Sequence, residues 1–188
     1  MEYIEDKKNF QGWFRQWICT DLSGKLRLFL TAMLVCVFSL GWTPVAQAYS
    51  DSITTTFVGG NGQNGNMFDV TASGAADITI TSFDINVIDI TVVDIEVYYK
   101  SGTYSGFEQD AGAWTLLGSA TVTGAGVGNP TAVDIGGLTI ASGETYGIYV
   151  TRTDGGSLEY TDGANTYSNN AIMIDTGVGN PYPFGSPP

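Results

Sequence analysis

An all-β fold, an antiparallel β-sandwich of the jelly-roll or immunoglobulin-like kind, is what the sequence predicts, and three observations predict it. Between Ile78 and Lys100 the chain reads ITITSFDINVIDITVVDIEVYYK, with apolar residues recurring at every second position. Side chains on a strand alternate between its two faces, so Ile78 and Ile80, then Phe83, Ile85 and Val87, then Val93, Ile95, Val97 and Tyr99 each mark a buried face. Turn signals rich in Gly, Asn and Asp then recur at intervals of about 8–12 residues, the spacing of a sandwich. Finally, no window beyond Ala48 carries a 3.6-residue period, and the joins are too short for the crossovers a parallel sheet needs.

The first 48 residues stand apart from this pattern. Lys25-Leu26-Arg27 leads into an apolar run from Leu28 to Trp42, followed by Pro44 and Ala46-Gln47-Ala48. A basic flank, an apolar stretch and a small-x-small exit describe a secretory signal peptide, with cleavage after Ala48. A retained anchor is the rival reading, but a spanning helix wants about 20 apolar residues. Residues 1–48 are therefore read as an N-terminal extension and signal peptide, with membrane contact only through 28–42. The expected destination is secreted or on the cell surface.

Cleavage leaves 140 of the 188 residues, enough for one domain with a sizeable core. Both cysteines, Cys19 and Cys36, precede the cut, so the mature part has no thiol chemistry. The chain holds no histidine, which removes the commonest metal ligand and the usual general base near neutrality. Beyond the cut two cations, Lys100 and Arg152, face fifteen carboxylates, a net charge of −13. So acidic a surface repels phosphate backbones, and nucleic acid is excluded as a partner.

In chain order, the elements follow from local pattern. Tyr49 to Val58, rich in Thr, is expected as a first short strand. Gly59 to Asn66 is a loop, and Met67 to Ala72 is a strand with Phe68, Val70 and Ala72 in phase. The run from Ile78 to Lys100 is expected as a central pair of strands joined by a tight connection near Ile88 to Thr91. Ser101 to Gly112 is a loop, and Trp114 to Thr123 a strand. Thr131 to Ile140 bends or bulges at Gly136-Gly137. Thr145 to Thr153 places Tyr146, Ile148 and Val150 on one face, and Asp154-Gly155-Gly156 signals a hairpin into Leu158 to Thr161. Ala171 to Asp175 is the last apolar run. The sandwich is bounded at 49–180, and the Pro- and Gly-rich tail 181–188 is expected to wrap the rim or hang free.

Four segments carry a resemblance: NGNMFDV (Asn64 to Val70), VYYKSGTYSGFE (Val97 to Glu108), AWTLLG (Ala113 to Gly118) and ETYGIYV (Glu144 to Val150). Together they resemble extracellular β-sandwich modules of bacterial secreted and cell-surface proteins, of the kind found upstream of C-terminal sorting tails. The resemblance spans nearly the whole mature chain. It implies fold and location and carries no settled activity. Such modules usually continue past a segment like YPFG (Tyr182 to Gly185) into a final strand. This chain stops short of it, so the expectation is either a truncated gene or a sheet without its last strand, the latter leaving an edge open to strand addition and self-association.

Candidate sites are few. The loop GGNGQNG (Gly59 to Gly65) echoes a calcium-binding repeat, and Asn64, Asn66 and Asp69 are the oxygens that would ligate calcium, the one cofactor considered. Its bland reading is a tight turn. Asp84, Asp94 and Glu96 form an acidic face that solubility alone explains. Asp94 and Glu96, two apart on one strand, also fall within the roughly 5–9.5 Å that separates glycosidase carboxylates. The sequence places no pocket residues around them, and no enzyme is predicted. Aromatic residues are the strongest binding signal: Tyr104, Tyr160 and Tyr167 are the candidate contacts for a protein or glycan partner, whereas Phe107 and Trp114 are expected to plug the end of the core. The predicted role is a non-catalytic surface or extracellular interaction module, with glycan binding and self-association as alternatives.

Overall fold

The alternating runs become strands in the computed structural model, which describes residues 51–185. In order these are β1 (Asn61–Gln63), β2 (Gly65–Ala72), β3 (Ile78–Asn86), β4 (Val92–Ser101), β5 (Thr115–Thr123), β6 (Pro130–Ile140), β7 (Thr145–Arg152), β8 (Leu158–Tyr160), β9 (Thr166–Ser168) and β10 (Ile172–Asn180). A single 3-10 turn, Ala111–Ala113, precedes β5. The segment expected to direct export, both cysteines and the expected cut after Ala48 lie outside the described residues.

All strand pairings are antiparallel. One layer is six strands in the order β5-β4-β7-β2-β10-β9, while β3 pairs β6 and β1 pairs β8. A bridge between Val87 and Leu158 links the end of β3 to β8, so the second layer runs β6-β3-β8-β1. The main core lies between the layers. Val70, Ala72, Ile95, Val97, Ile148 and Val150 meet Ile85, Val87, Val133, Leu138, Ile140 and Leu158 there, all buried. The fold is an all-β sandwich.

The register of β3 has a visible cause. Ile78 and Ile80 face the core, but so do Phe83 and Ile85, a switch from even to odd positions. The ladder shifts between Ile80 and Ser82, where Leu138 and Asp134 are the successive partners. The extra residues of β6 include Gly136-Gly137, the bulge that the paired glycines imply.

Four expectations need correction. First, β3 and β4 do not pair. They belong to different layers, and residues 87–91 cross between them. The connection has no Gly or Asn-Gly for a primed hairpin turn, and placing the strands face to face buries both apolar sides. Second, Asp154-Gly155-Gly156 is no hairpin: β8 pairs β1, and the turn carries the chain out of the six-stranded sheet. Third, residues 51–60 hold no strand. Their polar groups meet side chains instead, with Phe57 O accepting from Asn86 Nδ2 at 3.3 Å and Thr56 bonded to the Tyr167 hydroxyl at 2.6 Å. Fourth, the last run extends to Asn180 and forms a hairpin with β9, a strand too short to be seen as a pattern.

The chain from Pro181 to Gly185 neither follows the rim nor hangs free. Tyr149 Oη donates to Pro181 O at 3.0 Å, Tyr182 N to Asn64 Oδ1 at 3.2 Å, and the Phe184 ring is buried. Phe184 adopts a left-handed backbone, φ 50°. That conformation costs about 1 kcal/mol and persists where packing over-determines it.

Candidate functional site

β7 sits third in the six-stranded sheet and is buried on both faces. Ile148 and Val150 point to the main core, so Tyr149 points outward, yet it has no exposed surface. A second cluster covers it: Met67, Trp114 and Phe184 are buried around it, with Tyr98 and Tyr104 packed alongside. Ring centroids in this group stand 4.9–6.1 Å apart, from Tyr98–Phe184 at 4.9 Å to Trp114–Tyr149 at 6.1 Å. The tail and the loop between β4 and β5 thus roof the middle of the outer face. Burial raises the Tyr149 phenol above its ordinary range.

Beyond the roof the outer face opens. Asp94 and Glu96 on β4 stand opposite Thr121 and Ser119 on β5, and Thr153 continues from β7. These residues, with Ile95 and Ala120, line a shallow groove of about 250 Å³. Thr121 Oγ1 donates to Asp94 Oδ1 at 2.7 Å, and Tyr98 Oη to Glu96 Oε2 at 2.6 Å. The Tyr98 phenol is pushed up, by burial first and then by its bond to Glu96. The Tyr182 phenol is raised by burial and then by the same carboxylate. Carboxylate and hydroxyl oxygens therefore dominate the lining, with a tyrosine edge at one end. A partner fitting it must supply hydrogen-bond donors.

No cation of the described domain can supply them. Arg152 is buried, pairs with Asp89, and grips Asp154 in a fork with both nitrogens at 2.8 Å. Donating to Asp154 raises the guanidinium above its ordinary value, and the same fork holds the Asp154 carboxyl below its ordinary range. Lys100 is buried on the outer face, donating to Thr103 O at 2.6 Å and Ser101 O at 3.0 Å. Its ammonium lies 4.1 Å from the centroid of the Phe107 ring. Phe107 is thus exposed and cation-bound rather than a core plug, while Trp114 is buried in the outer-face cluster rather than at the end of the main core.

The candidate residues do not gather into one site. Tyr104 lies on the outer face, its backbone N donating to Asp69 Oδ1 at 2.8 Å and its phenol raised by burial. Tyr160 on β8 stands against Gly179 on the inner side of β10. Tyr167 on β9 bonds Thr56. The calcium oxygens are likewise engaged or apart. Asn64 donates to Gly156 O and accepts from Tyr182 N, and Asp69 latches the 103–104 backbone while taking the Thr103 hydroxyl at 2.6 Å. Asn66 turns inward on β2, and its buried Oδ1 has no hydrogen-bond partner. Among the described residues no three His, Cys, Asp or Glu side chains stand close enough to hold a metal.

The groove was half-legible in the sequence. Asp94 and Glu96 share a strand face by their spacing, but Ser119, Thr121 and Thr153 join them only through pairing that no local pattern reveals. Among the described residues no helix is long and apolar enough to cross a membrane. Neither a protein-family model nor a curated protein sequence matches this chain.

Proposed function

We propose that this chain is an exported, non-catalytic interaction module that meets its partner on the open part of the outer sheet face. The observation that supports this reading is the groove itself: oxygen-lined, shallow, and free of the domain's own cations, which are both turned to structural use. Its chemistry suits hydroxyl donors of a glycan or ammonium and guanidinium donors of a basic protein surface. Export rests on the segment from Lys25 to Ala48.

Binding of the full chain to an array holding neutral glycans and basic peptides tests the reading. The expected result is retention on one class, weakened about tenfold by Asp94→Asn with Glu96→Gln, the loss of one or two charge-assisted hydrogen bonds. Retention unchanged in that variant contradicts it.

Self-association is the second reading, favoured by β5. This nine-residue strand, TLLGSATVT, carries no charge and pairs only with β4. Unpaired edge groups of that kind are a template for a second chain. The bulge at Leu117, between the Val97 and Tyr98 pairings, works against it by twisting the edge. Sedimentation of the full chain separates the two readings: a concentration-dependent dimer favours the edge, a monomer the groove.

A further inference from the structure

The loop GGNGQNG has no part in the groove, yet its two Asn-Gly pairs stand in opposite chemical circumstances. Asn61 is exposed on β1, and Gly62 N–H donates to its own neighbour's Oδ1 at 2.9 Å. The Asn61 Nδ2 donates to Asp162 Oδ1 at 3.1 Å, which fixes the carboxamide with its carbonyl toward that amide. Asn64 is tied at both ends of its carboxamide, to Gly156 O at 2.9 Å and Tyr182 N at 3.2 Å. The following Gly65 is buried against Val150, Thr151 and Tyr149.

We propose that Asn61 is a site of spontaneous covalent modification, a deamidation through a cyclic imide, and that the fold shields Asn64 from the same reaction. The Gly62 amide loses its proton to solvent base, and its nitrogen bonds to Asn61 Cγ. The Cγ–Nδ2 bond breaks, and the nitrogen leaves as ammonia after taking a proton from water. Water then opens the five-membered ring at either carbonyl, giving aspartate or its β-linked isomer. Glycine favours the attack because no Cβ hinders its nitrogen. The product loses the donor to Asp162 and sets a second carboxylate beside it, which loosens the β1–β8 pairing at its end. Asn64 reaches the same geometry only after Tyr182 and Gly156 let go, a local opening at the start of the interior strand β2.

Peptide mass mapping of the full chain, incubated at mildly alkaline pH both folded and in denaturant, tests this. In the folded protein Asn61 converts about tenfold or more faster than Asn64, because Asn64 reacts only from the opened state. In denaturant the two convert at similar rates. Gly62→Ala slows conversion at Asn61 with a modest fall in melting temperature, since the added Cβ meets the movable Glu159 carboxylate at 3.0 Å and Leu158 O and Ser157 Cβ at 3.3 Å. Equal rates in the folded chain, or an Asn61 that converts only in denaturant, overturn the proposal.

Discussion

Arg152 holds two connections together with one side chain. Its guanidinium spans the 87–91 crossing through Asp89 and the 153–157 turn through Asp154 and Ser157 O. Arg152 is buried but its carboxylate partners are partly exposed, so Arg152→Ala is expected to cost on the order of 1–2 kcal/mol in a denaturant titration. The pH dependence has a definite sign. Asp154 is held below its ordinary value of 3.8 in the folded state, chiefly by the Arg152 fork. The stability it contributes is therefore complete above that value and lost as pH falls through the lower folded one. Asp154→Asn should lower stability at neutral pH and flatten its decline below about pH 4. At this scale little was legible: the sequence shows a lone arginine before Asp-Gly-Gly, and a turn motif is the natural reading. Which carboxylates an arginine meets depends on the crossing of layers.

Elements show where local pattern suffices and where it fails. Period-two alternation placed β2, β4, β5, β6 and β7 to within a residue or two, because each buries one face and a slip would expose it. The paired glycines located the β6 bulge. Pairing was not legible, since β3 and β4 alternate equally well as a hairpin or as opposite walls of a core. The outer-face cluster was hidden for a related reason. Tyr149 occupies what the alternation marks as a solvent position, and only the returning tail covers it. Two substitutions test that roof. Phe184→Ala should lower stability by about 3 kcal/mol, as for a buried aromatic, with melting as the readout. An unchanged melting temperature would mean that the tail does not pack there. A Cβ at Gly147 would stand 2.8 Å from Tyr104 N and 3.0 Å from its Cα, backbone atoms that cannot swing aside. Gly147→Ala should therefore displace the 102–110 loop, cost roughly 1–3 kcal/mol, and speed proteolysis between 103 and 110.

As a whole the folded unit is an acidic slab with its two positive charges used internally. The described exterior repels anions, carries a roofed aromatic patch, and leaves an oxygen-lined groove open beside it. Charge of one sign over a surface keeps molecules apart and attracts donors. If the groove is the contact, binding to a basic partner should weaken as salt rises, whereas binding to a neutral glycan should barely respond. That contrast, read from titrations at two ionic strengths, assigns the partner class.

Carboxyl labelling of the full chain, with and without the array-selected partner, tests the site most directly. Modification of Asp94 and Glu96 is expected to fall on binding while Asp77 and Glu144, which do not line the groove, keep theirs. Unchanged labelling at Asp94 and Glu96 in the bound state would place the partner elsewhere and contradict the account.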